Sequence, residues 1–181
     1  DLFLTHDRPI VTRCDDSVTR VVGGGPMLLR RSRGYVPRPI SLARPVARPV
    51  LACGAQLKNT FCLAAGDLAV LGPHVGDLDR LEVHRSYEES IERMQRFLGC
   101  KPEVIAYDLH PDYASSRYAL DRPEPVKVAV QHHHAHVASA MADNGKSKNG
   151  KGDGKAGSAS AATSKNGKTP VRSEPRGSRL A

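Results

Sequence analysis

The sequence has no tryptophan among its 181 residues, and aromatic residues make up only 4% of it. Any core must therefore consist mainly of aliphatic side chains. The four cysteines form no C-x-x-C pair and no zinc-ribbon spacing, so we expect free thiols in a reducing cytosol and a cytoplasmic protein. No apolar run is long enough to cross a membrane, and no secretory segment is recognisable, so we expect no membrane partner.

The net charge of +8 is concentrated at one end of the sequence. Residues 146–181 contain nine Lys or Arg against two acidic residues, whereas residues 1–145 are nearly balanced, with 18 basic and 17 acidic groups. The basic end is rich in Gly, Ser, Lys, Asn and Ala and has almost no apolar content, which predicts a disordered tail. We therefore expect no specific nucleic-acid partner, since the charge belongs to the tail.

Four histidines in five positions follow a short strand pattern near residue 130. Val126, Val128 and Val130 alternate with smaller or polar residues, and the histidines begin a segment typical of a helix ending at Asn144. His132 and His136 are four residues apart and share one helix face, where two imidazoles can hold one metal ion. A chance pair at a helix start is the alternative, but the clustering favours a metal site.

The first 48 residues are rich in arginine and suggest a basic edge of a domain. Residues 8–48 contain nine arginines and no lysine, and arginine suits bidentate contacts with phosphate or carboxylate. Apolar residues on both sides of Gly23-Gly24-Gly25 predict short strands joined by a turn. The Pro- and Arg-rich residues 41–48 are typical of an interdomain linker.

The remainder, up to residue 145, predicts an alternation of strands and helices. Three strand patterns, PVLACGA, LKNTFCLAA and DLAVLGPHV, are joined by Gly54-Ala55 and Gly66-Asp67 and suggest an antiparallel meander. A helix is predicted over 86–98, with Ser86 and Glu89 as a capping box. A strand over 103–109, a helix over 113–120 and the histidine segment follow. This order is that of half of an actin-like or ribonuclease-H-like (ASKHA) α/β fold.

Six segments carry a resemblance to a known family. In the order RCDDSV, LRRSRGYVP, LACGAQLKNTFCL, GPHVGDL, DLHPDY and VQHHHAH, residues 1–145 resemble the HypF carbamoyltransferases of NiFe-hydrogenase maturation. The resemblance implies that residues 1–40 end a YrdC-like α/β domain, 41–48 are a linker, and 49–145 are the first half of a TsaD-like actin-fold domain. Residues 146–181 are then the disordered basic tail.

The resemblance also implies a reaction and its components. Carbamoyl phosphate and ATP, with magnesium, would yield carbamoyl-adenylate, and the carbamoyl group would pass to the C-terminal cysteine of HypE for cyanide ligand synthesis. His132 and His136 match the pair that holds a divalent metal, iron or zinc. The residues that match nucleotide- or carbamoyl-binding motifs are Arg13, Asp15, Asp16, Ser17, Arg30, Arg31, Arg33, Lys58, Asn59, His74, Asp77, Asp108 and His110.

The sequence departs from the family pattern at both ends. It has no acylphosphatase domain, no zinc-finger segments with their zinc, and no second actin-like lobe. We therefore expect a fragment or an interrupted domain that is inactive by itself. The alternatives are a tRNA-threonylcarbamoylation enzyme, which shares both folds, and a non-enzymatic metal-binding half-domain. QHHHAH and DLHPDY favour the HypF family over the tRNA enzyme.

Overall fold

The computed structural model describes residues 2–144, which form two β-sheets and three helices. The predicted disordered tail, 146–181, lies outside the described residues. The elements, in chain order, are β1 (Val18–Val22), β2 (Gly25–Arg30), β3 (Ile40–Ala52), β4 (Cys62–Leu71), α1 (Leu81–Leu98), β5 (Val104–Asp108), α2 (Ala114–Asp121), β6 (Val126–Val130) and α3 (His132–Asn144). Within the described residues, no helix is long and apolar enough to cross a membrane.

The first sheet is a hairpin of β1 and β2, as the sequence predicts. The strands are antiparallel, and Gly23 and Gly24 connect them with φ angles of 59° and 82°, which glycine adopts without a steric penalty. All five side chains of β1 are exposed, so the hairpin adds little to the core.

The second sheet has the order β4-β3-β5-β6 and positions the candidate site. β3 pairs in parallel with β5, and β5 pairs in parallel with β6, whereas β3 and β4 are antiparallel. Helices α1 and α2 precede β5 and β6 as crossover connections. The carboxyl ends of β3, β5 and β6 consequently meet at one edge of the sheet, which is where α/β folds place their ligands.

The predicted meander is present in a modified form. One extended segment, β4, replaces the two predicted strands LKNTFCLAA and DLAVLGPHV. Its flanks are nevertheless paired with each other, since Gly72 donates to the Phe61 carbonyl (2.8 Å) and Asn59 forms an antiparallel bridge with Gly76. The chain therefore reverses within β4, and Gly66, with a φ of 57°, lies at the middle of that segment.

Residues 41–48, which we predicted to be an interdomain linker, have strand structure. These residues belong to β3, where Ser41 pairs with Leu68 and Val46 pairs with Gly66. The prolines suggested a linker because proline donates no ladder hydrogen bond. Pro45 and Pro49 instead fall in the two intervals where the pairing register shifts, so the ladder does not require their missing N–H groups.

Helix α1 begins five residues earlier than predicted. Arg80 is its N-cap residue, with no side-chain cap, so the predicted capping box of Ser86 and Glu89 is wrong. Ser86 lies inside the helix, where its carbonyl accepts a hydrogen bond from the Ser90 hydroxyl. The predicted end is correct, since Gly99 adopts a left-handed conformation and its N–H bonds to the Arg96 carbonyl.

The core lies between α1 and the second sheet. Tyr87, Ile91 and Met94 form the buried face of α1, as its predicted periodicity requires. They pack against buried residues of the sheet and its connections, among them Leu51, Cys53, Phe61, Leu63, Val70, Val75, Leu78 and Ile105. The Tyr87 hydroxyl donates to the Cys53 carbonyl (2.8 Å), which ties the helix to the end of β3.

The elements after α1 agree with the sequence prediction. β5 and α2 match the predicted ranges to within a residue or so, β6 begins at Val126, and α3 begins at the histidines. The architecture is mixed α/β, with parallel strands separated by helices, as predicted for half of an actin-like domain.

Candidate functional site

A cleft of about 430 Å³ opens at the carboxyl edge of the second sheet. Three parts of the chain line it, namely the loop after β3, the end of β5, and the start of α3. Its polar lining includes Lys58, Asn59, Asp108, His132 and His136. We call it the carboxyl-edge cleft. The structure thus brings together five site residues that the sequence analysis assigned to two different roles.

A hydrogen-bonded chain of three side chains crosses the cleft from β5 to α3. Asp108 Oδ2 lies 2.6 Å from His132 Nδ1, and His132 Nε2 lies 3.1 Å from His136 Nε2. The strand register explains the first contact, because Asp108 pairs with Val130 on β6, two residues before His132. The helical spacing of four residues explains the second.

The geometry of the histidine pair fits a shared metal ion. Two nitrogens bound tetrahedrally to one zinc ion, at about 2.0–2.1 Å each, lie about 3.3 Å apart, close to the Nε2–Nε2 distance in the cleft. Among residues 2–144 no group of three or more His, Cys, Asp or Glu side chains could hold a metal ion. Within this range the pair can therefore offer two ligands to a metal ion.

The neighbouring histidines face other partners. The His133 backbone N–H donates to Gln131 Oε1 (2.7 Å), and both His133 and His134 are exposed. His110 stacks on Tyr113, with ring centroids 4.2 Å apart, and its backbone N–H donates to Asp108 Oδ1 (2.9 Å). His110 therefore supports Asp108 through its main chain, rather than lining the cleft.

The loop after β3 places Lys58 and Asn59 at the cleft. Lys58 has a φ of 50°, and its N–H donates to Asp77 Oδ1 (2.6 Å). Asn59 is buried, and its amide group donates to the Cys53 and Ala55 carbonyls. Gly54 has a φ of 73° and no space for a Cβ atom, which would lie 2.3 Å from the Thr60 carbonyl oxygen. The loop is consequently held in one conformation.

His74 and Asp77 lie outside the cleft lining. The Asp77 carboxylate nevertheless holds the loop, because it accepts a hydrogen bond from the Lys58 backbone N–H. Burial lowers the pKa of His74, and Arg30 acts in the same direction, while Asp15 and Asp77 oppose the shift. His74 is thus within electrostatic reach of the first 39 residues, which we call the amino-terminal segment.

The predicted arginine and hydroxyl cluster of the amino-terminal segment is held by contacts within that segment. The Ser17 hydroxyl accepts from the Ser32 N–H and donates to the Arg33 carbonyl, both at 2.8 Å. Arg33 contacts the Cys14 carbonyl and Asp16, and Arg31 donates to the Arg38 carbonyl. Arg13 lies 3.9 Å from Asp15. These residues form a second group, separate from the carboxyl-edge cleft.

The sequence analysis missed several residues around the cleft. Ser139 lines it one turn after His136, and Gln56 accepts a hydrogen bond from the Ala114 N–H at the start of α2 (2.8 Å). The sequence indicated a turn at Gly54, but the left-handed backbone that requires glycine at this position follows only from the fold. The link from Asp108 to His132 joins residues 24 positions apart and follows only from the parallel register.

Comparison with known proteins places most of this architecture in one family. The family model described as "HypF Kae1-like domain" matches residues 45–143. Over 133 residues the chain is 44% identical to the carbamoyltransferase HypF of Synechocystis sp. and 47% identical to that of Rhizobium leguminosarum bv. viciae. Each alignment covers 74% of this chain and 17% of the relative.

Solved structures agree with the sequence comparison. The crystal structure of full-length HypF in the phosphate- and nucleotide-bound form is similar with a TM-score of 0.74 and 44% identity, covering 81% of this chain and 23% of that one. The crystal structure of HypF from T. kodakarensis gives a TM-score of 0.69 at 35% identity. The chain spans 17% of the length of the relatives it matches in sequence.

The matched range, 45–143, contains β4 to β6, most of β3 and α3, and every residue of the carboxyl-edge cleft. The amino-terminal segment lies before it. Because the family model matches more than half of the 181 residues, this chain belongs to the HypF family and contains part of its Kae1-like domain.

Proposed function

We propose that this chain forms part of a carbamoyltransferase that matures NiFe hydrogenases. The relatives are named carbamoyltransferases, and the matched range includes the whole carboxyl-edge cleft. The observation that carries the proposal is the chain of contacts from Asp108 through His132 to His136. It places two imidazole nitrogens side by side at a strand edge, in a cleft that Lys58 also lines.

In this proposal His132 and His136 hold a divalent metal ion, iron or zinc. Bound there, such an ion would polarise a carbonyl or phosphoryl oxygen as a Lewis acid. The protein groups around it bind and orient the substrate. Lys58, which also lines the cleft, contributes a positive charge that suits the phosphate groups of ATP or of an acyl-adenylate.

The proposed reaction has two stages. Carbamoyl phosphate, water and ATP, with magnesium, give carbamoyl-adenylate, inorganic phosphate and pyrophosphate. The Arg13 to Arg33 cluster is the proposed contact for carbamoyl-adenylate in this chain. In the second stage the C-terminal cysteine of HypE reacts as a thiolate. A sulfur–carbon bond to the carbamoyl group forms, the carbon–oxygen bond to AMP breaks, and AMP leaves. The four free thiols of this chain fit the reducing cytoplasm that such chemistry requires.

Single histidine variants of the full-length protein test this proposal. His132→Ala and His136→Ala should each lower bound iron or zinc, measured by elemental analysis, and should lower carbamoyl transfer to HypE at least tenfold. ATP–pyrophosphate exchange that depends on carbamoyl phosphate should persist, since adenylation belongs to the other group of residues. His133→Ala is the matched control because, within residues 2–144, its ring contacts only Gln131 and His132.

Two results of these measurements would contradict the proposal. Equal metal content and equal transfer in the wild type and in a His132/His136 double variant would reject the cleft as the site. Loss of carbamoyl transfer in the His133→Ala control, with the metal retained, would show that the reaction depends on the exposed side of α3.

A further inference from the structure

The sequence resemblance grouped Asp108 with the nucleotide- and carbamoyl-binding residues, yet the structure surrounds its carboxylate with protein donors. Asp108 is only 9% exposed. Its Oδ1 accepts the His110 backbone N–H at 2.9 Å, and its Oδ2 lies 2.6 Å from His132 Nδ1. Its own backbone carbonyl accepts the Ser116 hydroxyl at 2.7 Å. Little of this carboxylate remains for a nucleotide or for magnesium.

We propose that Asp108 is a positioning residue, which holds His132 in the Nδ1–H tautomer so that the Nε2 lone pair faces the carboxyl-edge cleft beside His136. The proposal rests on the proposed role of the histidine pair as metal ligands. A neutral imidazole carries its proton on one nitrogen only. A carboxylate has no proton to donate, so a contact at Nδ1 requires that nitrogen to be the donor.

The two carboxylate oxygens explain why this position requires aspartate. Both neighbours of the Asp108 side chain, the His110 N–H and His132 Nδ1–H, are donors in this arrangement. Asparagine has the same shape but offers one acceptor oxygen and one donor NH2 group. If its oxygen faces the His110 N–H, its NH2 group faces His132 and stabilises the opposite tautomer, with the proton on Nε2. That proton occupies the position that a metal would take.

The rigidity of the surroundings makes this effect specific to Asp108. The DLHPDY turn is fixed by the stacking of His110 on Tyr113, and Tyr113 also makes an edge contact with the His132 ring (centroids 6.5 Å apart). His136 has no such support, since its contacts in the described residues are with His132 and, through its carbonyl, with the Ser139 hydroxyl. The carboxylate therefore acts through His132, a pattern common among metal-binding histidines.

The test uses the full 181-residue chain, labelled with 15N in its histidines. Long-range nitrogen–proton correlation spectra of the metal-free chain, recorded where the imidazoles are neutral, report which nitrogen of His132 carries the proton. We expect Nδ1–H in the wild type and Nε2–H in Asp108→Asn. Zinc titration against a chromophoric competitor should show at least a tenfold weaker affinity in Asp108→Asn, within the 10–100-fold loss usual for such partners.

Asp112→Asn is the matched control, because Asp112 belongs to the same turn but is exposed. It should leave both the tautomer and the zinc affinity unchanged. Asp108→Ala separates the effect on the His132 tautomer from an effect on folding. A variant that stays folded but has a mixed His132 tautomer and weaker zinc binding supports the proposal.

Two results would overturn the positioning role. One is an Nε2–H tautomer of His132 in the wild type, and the other is an unchanged tautomer and affinity in Asp108→Asn. If the wild type binds no zinc at the pair, the metal part of the proposed function fails, while the tautomer measurement still decides the role of Asp108.

Discussion

The two groups of predicted site residues are held in different ways. Lys58, Asn59 and Asp108 of the carboxyl-edge cleft stand on a loop and a strand that border the buried core, which includes Leu51, Tyr87, Ile91 and Ile105. His132 and His136 stand on α3, whose described side chains are exposed or half-buried, and His132 is joined to this framework through Asp108. In the amino-terminal segment Val36 is half-buried against this core, whereas apolar side chains such as Phe3, Ile10 and Val21 are largely exposed. Its arginines and Ser17 are held mainly by hydrogen bonds and exposed ion pairs.

Because of this difference, charged side chains are oriented more firmly in the cleft than in the amino-terminal segment. In the cleft, Asp108 is buried and has two fixed partners, so its contact with His132 is well defined. In the amino-terminal segment the Arg33–Asp16 pair, at 3.4 Å, has both side chains more than two-thirds exposed. Exposed pairs contribute about 0–1 kcal/mol and orient little. Chemistry that depends on sub-ångström geometry is therefore better supported in the cleft.

The largest expected effect comes from removing core packing under the cleft. Ile91→Ala should lower the free energy of unfolding by about 2–5 kcal/mol, because Ile91 is fully buried and its loss leaves a cavity. Ile10→Ala is the control of the same residue type, at 77% exposure, and should change stability by less than about 0.5 kcal/mol. Urea denaturation measures both. Equal losses would contradict the exposed position of Ile10.

A second, somewhat smaller effect is expected at the loop that carries Lys58. Gly54→Ala should cost about 3 kcal/mol, because it combines a left-handed backbone with a Cβ atom placed against the Thr60 carbonyl and the Asn59 amide. Gly66→Ala also has a positive φ but open space around it, and should cost about 1 kcal/mol. Thermal unfolding of both variants compares them. A cost for Gly66→Ala as large as that for Gly54→Ala would contradict the packing explanation.

The third prediction concerns alkaline pH. Burial raises the pKa of the Cys53 thiol from 9.0 to about 11, partly offset by its contact with Tyr87. The folded state thus holds this proton more tightly than the unfolded state, so its contribution is complete below about pH 9 and is lost as the pH rises to about 11. A shift of this size corresponds to about 3 kcal/mol.

Denaturation curves across that pH window check the sign and size of the effect. Cys53→Ala should show a smaller alkaline loss of stability than the wild type, whatever its stability at neutral pH. Cys14→Ala, in the amino-terminal segment, is the control and should keep the wild-type pH dependence. A Cys53→Ala curve parallel to that of the wild type would contradict burial of this thiol.

Local patterns predicted most of the elements that carry the cleft. The alternating valines of β6, the histidine start of α3 and the terminating Gly99 are signals within a few residues, and the structure agrees with each. The start of α1 was missed because Ser86 and Glu89 imitate a capping box, whereas the real start at Leu81 has no capping side chain. The strand character of residues 41–48 was missed because their prolines occupy irregular positions of the ladder.

The candidate site was predictable as a set of residues, but not as an arrangement. His132 and His136 followed from helical spacing, which is local. The assignment of Asp108 needed the parallel pairing of β5 with β6, because only that register brings residue 108 next to residue 132. The hydrogen bonds of the Ser17 hydroxyl were also not predictable, because they join Ser17 to Ser32 and Arg33, which are 15 and 16 residues away. Long-range contacts of this kind leave no periodic signal in the sequence.

The smallest effect is expected at Ser17, and it tests how the amino-terminal segment is held. Its hydroxyl accepts a hydrogen bond from the Ser32 N–H and donates one to the Arg33 carbonyl, so it connects two stretches of chain that are 15 residues apart. Ser17→Ala should raise the hydrogen-exchange rate of the Ser32 amide about fivefold, because one neutral hydrogen bond contributes about 1 kcal/mol. Exchange of the Cys53 amide, which bonds to Ala106 in the second sheet, should not change.

Asp16→Asn is the companion variant, since it removes only the exposed ion pair with Arg33 and should leave the Ser32 amide unaffected. The comparison separates a hydroxyl that holds backbone from a charge that lies on the surface. If Ser17→Ala leaves the Ser32 amide protected while Asp16→Asn exposes it, the ion pair holds the segment. The Ser17 hydroxyl would then be free for the nucleotide contact that the family resemblance implies.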